Sequence, residues 1–176
     1  MLDLNEDKGI MLTPSEVLSL TQHCLIYYSL KTSEASSFTN LRKIKPFPKI
    51  DECSSNLLEV GIEMAEIYED GELDIEEIIG GLEILLQTLE TNKIDREFMT
   101  KNFWLIFKTC LLISHQFISD VNWNIVDYSS IVNSSVKDLS AIRVYLLKDI
   151  LNFKFDLSAA KLVKTQKFLE AVKEIS

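Results

Sequence analysis

The sequence predicts an all-α chain, on three observations. None of its three prolines falls after Pro48 and it holds only five glycines, so from about Asp51 onward nothing interrupts a succession of helices. Apolar residues recur at helical spacing, and no tract of alternating β-branched residues bounded by turn signals supports a sheet. Residues that cap helices stand where the periodic segments begin.

The first helix opens at Thr13-Pro14-Ser15-Glu16. There the threonine caps, the proline takes the first helical position and Glu16 closes a capping box. This helix runs to about Lys31, and Val17, Leu20, Cys24 and Tyr27 or Tyr28 recur along it at helical spacing, so it is expected to dock onto the later helices. A serine-rich stretch and a basic proline segment, roughly residues 32 to 50, then form the boundary between residues 1–50, an N-terminal helix with its linker, and residues 51–176. Five further helices are expected near 54–69, 75–91, 100–118, 123–132 and 136–152, with a last one near 158–174. Asp74 with Glu77 and Ser135 with Asp138 have the cap-plus-carboxylate spacing, while Thr100 and Ser158 are expected to cap alone.

The helix over 100–118 is apolar nearly all round, through Phe103, Trp104, Leu105, Ile106, Phe107, Cys110, Leu111, Leu112, Ile113 and Phe117, which places it in the middle of a bundle. Lys101, Lys108 and His115 recur in it at intervals of seven and so share one narrow stripe, flanked by Leu105, Leu112 and Trp104. Along that stripe the central helix is expected to reach the surface. The helix over 136–152 buries Leu139, Ile142, Leu146 and Ile150 on one face, and Val144 and Leu151 lie on roughly the opposite one. That second apolar face needs cover, either from the last helix or from a partner.

Composition narrows the function classes. Length suits one domain with a sizeable core. Cys24, Cys53 and Cys110 are odd in number and widely spaced, with no C-x-x-C pair, so neither a disulfide framework nor a zinc site is suggested and a reducing compartment, cytoplasmic or nuclear, is expected. Residues 1–10 mix acidic and apolar side chains without a basic segment or long apolar run, unlike a secretory signal. The longest apolar run, 103–113, is broken by Lys108 and falls short of the roughly 20 residues of a membrane span. A net charge of −9 argues against a nucleic-acid partner. Arg42, Lys43, Lys45 and Lys49, clustered around Pro46 and Pro48, fit a solvated linker, with an acidic partner as the alternative.

The order of segments from Asn56 to Phe155 resembles the amino-terminal cyclin box, most of all that of the phosphate-signalling and Y-type cyclins. Residues 102–120 (NFWLIFKTCLLISHQFISD) are similar to the third box helix and its acidic turn, 124–132 to the short fourth helix, and 136–155 (VKDLSAIRVYLLKDILNFKF) to the fifth. Upstream, 57–68 and 75–89 fit helices one and two, so about 100 of the 176 residues are covered, by hydrophobic spacing more than by sharp motifs. The resemblance implies a five-helix cyclin-like box with an extra N-terminal helix and a C-terminal helix, without a second box. It also implies a regulatory subunit that binds a protein kinase of the cyclin-dependent type, without cofactor. In such cyclins a lysine on the third helix and a glutamate on the fifth grip the kinase's regulatory helix; the aligned positions here are His115 and Val144, so both members are replaced. The expected partner-binding residues are therefore Lys101, Leu105, Lys108, Leu112, His115 and Val144.

Other classes stand beside this one. An adaptor that keeps the cyclin fold without the kinase accounts for the missing pair equally well. Asp70-Gly71-Glu72-Leu73-Asp74 with Glu77 matches the back half of a calcium-binding EF-hand loop, but Tyr68 falls where a third-position oxygen ligand is needed, so a helix-helix turn is the simpler account. Catalysis finds no support. No phosphate-cradling glycine motif occurs, and His23 and His115 form no triad or metal pattern. His23 and Cys24 are helix neighbours that do not face each other.

Overall fold

The computed structural model describes residues 66–67, 73–91, 93–120 and 123–175. Among them every regular element is helical and none is a strand. The helix expected over 14–31, the linker and most of the helix expected over 54–69 lie outside the described residues, as does the division at residue 50.

Helix α1 spans Ile75–Glu90 and begins as expected at Asp74, where the Glu77 carboxylate accepts the Asp74 N–H at 3.0 Å and closes a capping box. Helix α2 spans Arg96–Ile118, starting four residues before the expected bound at 100. The extended backbone that a cap requires occurs at Asp95, whose carboxylate accepts the Phe98 N–H at 2.9 Å, whereas Thr100 is already inside the helix. Helix α3 is the short segment Ile125–Ile131, capped by Asn124. Helix α4 spans Val136–Val144, capped by Ser135, whose hydroxyl accepts the Asp138 N–H at 3.0 Å. It continues without a break as a π-helical stretch, Tyr145–Ile150. Helix α5, Ala159–Ile175, closes the order.

Helices α1 and α2 pack closest, because α1 presents Gly80 and Gly81 to α2. A Cβ on Gly81 would stand 2.6 Å from Leu111 Cδ2 and 3.1 Å from Leu111 Cα, and one on Gly80 would collide with Ser114 Oγ. The contact is sealed by the Ser114 hydroxyl, which donates to the Glu77 carbonyl at 2.7 Å. Around this pair the core gathers Ile78, Ile79, Leu82 and Leu85 of α1 with Phe103, Phe107, Cys110, Leu111 and Leu112 of α2. Helix α4 crosses α2 on another side and buries Leu139, Ile142, Leu146 and Ile150, the four residues expected there.

The face opposite those four departs from its expected pattern. Val144 is exposed, but Leu151 is buried. An α-helix would carry Leu151 round to lie near Val144; the π turn, in which the Leu151 N–H reaches the Leu146 carbonyl at 2.8 Å, sets it into the core instead. The chain then turns sharply through Asn152 and Phe153, both at positive φ. Helix α5 does not cover Val144; it lies on α1, with Leu162 and Phe168 buried.

Candidate partner-binding face

Lys101, Lys108 and His115 do share one side of α2, but only Lys101 meets water. It pairs with Glu97 one turn earlier at 2.6 Å, both side chains exposed. Lys108 is 5% exposed and His115 4% exposed, Leu112 is fully buried and Leu105 is half-buried against the core. The expected surface stripe is therefore corrected: α3 and its flanking turns lie over it.

The cover is specific. Lys108 Nζ donates to the Val132 carbonyl at 2.7 Å and lies 3.4 Å from Ser134 Oγ, so the ammonium caps the carboxyl end of α3, where helix carbonyls lack internal partners. The same ammonium sits 5.2 Å from the Trp104 ring centroid. The Tyr128 hydroxyl donates to the Lys108 carbonyl at 2.5 Å from the other direction, and burial pushes that phenol's pKa well up. At the end of the stripe the Trp123 indole stacks on His115, centroids 3.8 Å apart, and Tyr128 stacks behind Trp123 at 5.2 Å. A polar residue on an apolar helix marks water or a polar neighbour, and here the neighbour is α3.

With Lys108, Leu112 and His115 inside, the accessible residues of α2 and α4 are others. Val144 is 55% exposed and Phe117 65% exposed. Phe117 was expected in the core; one residue from the end of α2, no described helix lies above it and it meets Phe155 edge-on at 4.8 Å. Gln116 and Arg143, the sequence neighbours of Phe117 and Val144, join α2 to α4 through an Nη1 to Oε1 bond of 3.4 Å. Phe153, held at positive φ in the turn after the π stretch, is 67% exposed. Of the six residues expected at the partner face, the structure brings Lys101 and Val144 to the surface. Gln116, Phe117, Arg143 and Phe153 were not expected there. The only sequence signal for Phe117 and Phe153 was position, each at the end of a helix where cover runs out.

The same geometry bears on the rival readings. Asp70, Gly71 and Glu72 of the calcium-loop reading lie outside the described residues; Glu77, the ligand such a loop needs in its last position, is turned inward and accepts from Asp74 N and His115 Nδ1. No cluster of three or more His, Cys, Asp or Glu side chains suited to a metal ion occurs among the described residues. Cys110 is wholly buried and desolvation pushes its thiol pKa far up, so it presents no thiolate. No helix among the described residues is long and apolar enough to cross a membrane. Comparison with protein-family models, with curated proteins and with solved structures finds no match for the chain.

Proposed function

We propose that the chain is a cyclin-like regulatory subunit that binds a protein kinase of the cyclin-dependent type at the junction of α2 and α4. The observation that carries the reading is the exposed Val144 beside the Gln116–Arg143 bridge. The resemblance assigns kinase docking to these two helices, and the bridge lies one residue from each aligned position, His115 and Val144. A polar pair does join the two helices here, Arg143 with Gln116, but each member stands one residue away from the position where the resemblance places the lysine or the glutamate of kinase-binding cyclins. Arg143 adds a cation, a residue type enriched at interface anchors, and Val144 an apolar contact beside it.

Lys108 and His115 act in this reading from below the surface, by fixing α3 and its flanking turns against α2, and Leu112 by filling the core. Docking against the kinase's mobile helix would act by position, shifting the kinase's population toward its active arrangement, and the chain would take no part in phosphoryl transfer. The substituted pair also favours a second reading, an adaptor of the same fold that holds a partner other than a kinase.

One comparison separates the two. Wild type and Val144→Arg, matched by circular dichroism, are used to recover partners, and the recovered material is assayed for phosphorylation of a basic protein substrate. Kinase activity recovered by wild type and reduced at least about tenfold by the variant, a loss of about 1.4 kcal/mol of binding, supports the kinase reading. A partner lost with the variant but free of kinase activity supports the adaptor. A kinase held equally by both proteins places the contact elsewhere.

A further inference from the structure

His115 has both ring nitrogens committed to the protein. Its Nε2 lies 3.2 Å from the Trp123 backbone nitrogen, along that amide's N–H. A peptide amide can only donate, so Nε2 is the acceptor and carries no proton. The ring proton is then on Nδ1, 3.1 Å from Glu77 Oε1. Through its other oxygen Glu77 accepts the Asp74 N–H at 3.0 Å. One neutral imidazole, in one tautomer, thus links the cap of α1, the last turn of α2 and the residue that leads into α3.

We propose that His115 is a proton-operated latch on the junction between α2 and α3. A proton added at Nε2 converts the acceptor of the Trp123 amide into a second donor. Two N–H groups then face each other, and the lead-in to α3 releases. The Nδ1 side responds oppositely, because an imidazolium donates more strongly to the Glu77 carboxylate. Acid therefore keeps the tie between α2 and α1 and breaks the Trp123 amide hydrogen bond; the stacked indole attracts the imidazolium, so the backbone rather than the ring is the part that releases. His115 is 4% exposed, so the proton enters as the lead-in opens, and the two events are one equilibrium.

Among the described residues the charged surroundings leave this intact. From α1 the group in contact is Glu77. On α2 itself Lys108, two turns earlier, is bonded to Val132 O and Ser134 Oγ. From the α3 side Trp123 covers the ring, with the Tyr128 phenol behind it donating to Lys108 O, while Asp120 and Asp127 are exposed to water. Arg143 of α4 is bonded to Gln116. The latch does not depend on the identity of the partner.

The test uses the wild-type full chain labelled with nitrogen-15, its two histidines distinguished by a His23→Gln comparison. Long-range proton–nitrogen spectra are recorded from about pH 8 to about pH 5, the range in which histidine changes charge. Amide exchange is measured alongside, divided at each pH by the rate of an unstructured amide. The expected result is an Nδ1–H tautomer at the upper end and a Trp123 amide resonance that moves with the midpoint of the His115 ring. Protection of that amide is lost at the lower end while α1 and α2 amides keep theirs. An Nε2–H tautomer at the upper end would overturn the latch. So would a Trp123 amide that stays put while His115 titrates, or a His115 that gains its proton only as the whole chain unfolds.

Discussion

Val144 and Leu112 differ little in chemistry and entirely in surroundings. Val144 lies on the water side of α4 while Leu139, Ile142 and Leu146 of the same helix are buried, so an arginine at 144 extends into solvent without opening the core. Leu112 has no exposed surface, and shortening it leaves a void between α2 and its neighbours. Val144→Arg is expected to change unfolding free energy by no more than about 0.5 kcal/mol. Leu112→Ala is expected to cost about 2–5 kcal/mol. Urea unfolding of the two variants checks both figures, and a large loss from Val144→Arg would show that α4 is covered where the structure exposes it. The contrast also decides which residues can report on partner binding, since a charge placed at 112 would disturb the fold before it disturbed any interface.

At the scale of the element, the crossing of α1 and α2 depends on the absence of a side chain. The nearest atoms to a Cβ on Gly81 include the Cα of Leu111, and backbone cannot swing aside as a side chain can. Gly81→Val is expected to lose about 1–3 kcal/mol by overpacking, with little helix propensity to offset it. The measurement is the denaturant midpoint at unchanged slope; a midpoint equal to that of wild type would mean the helices part at no cost. Helix bounds were legible in the sequence where a cap declares itself: Asp74 with Glu77 starts α1, and Ser135 with Asp138 starts α4. The start of α2 was misplaced because both Asp95 and Thr100 are able to cap, and only the backbone decides between them. The shared side of Lys101, Lys108 and His115 was legible from their spacing. What covers it was not, because periodicity within one helix says which residues share a face and nothing of the neighbour laid upon it. Leu151 escaped for a related reason: a π turn changes which way every later residue points, and no residue in YLLKDI announces one.

For the molecule as a whole, the attachment of α5 decides whether the described helices behave as one cooperative unit. Helix α5 meets α1 through buried Leu162 and Phe168 and through a polar clasp. The Glu83 carboxylate, wholly buried, accepts from Gln87 Nε2 at 2.6 Å and from the Thr165 hydroxyl of α5. Gln87 in turn holds the chain just before α5 by two bonds to Asp156, one to its carbonyl at 2.8 Å and one from its N–H at 3.0 Å. Three polar residues thus fix the start and the middle of α5 to a single turn of α1, and a buried carboxylate tolerates poorly the loss of a donor. Thr165→Val keeps the side-chain volume and removes one donor, at an expected cost of about 1–3 kcal/mol. That cost should fall unevenly. Helices α1 and α2 hold each other through the glycine crossing and the Ser114 bond without help from α5, so α5 amides are expected to exchange through an opening that leaves α1 and α2 protected. Native-state hydrogen exchange on the variant resolves this residue by residue. Equal loss of protection across α1, α2 and α5 would mean instead that the Glu83 clasp belongs to the global transition and that the helices fold only together.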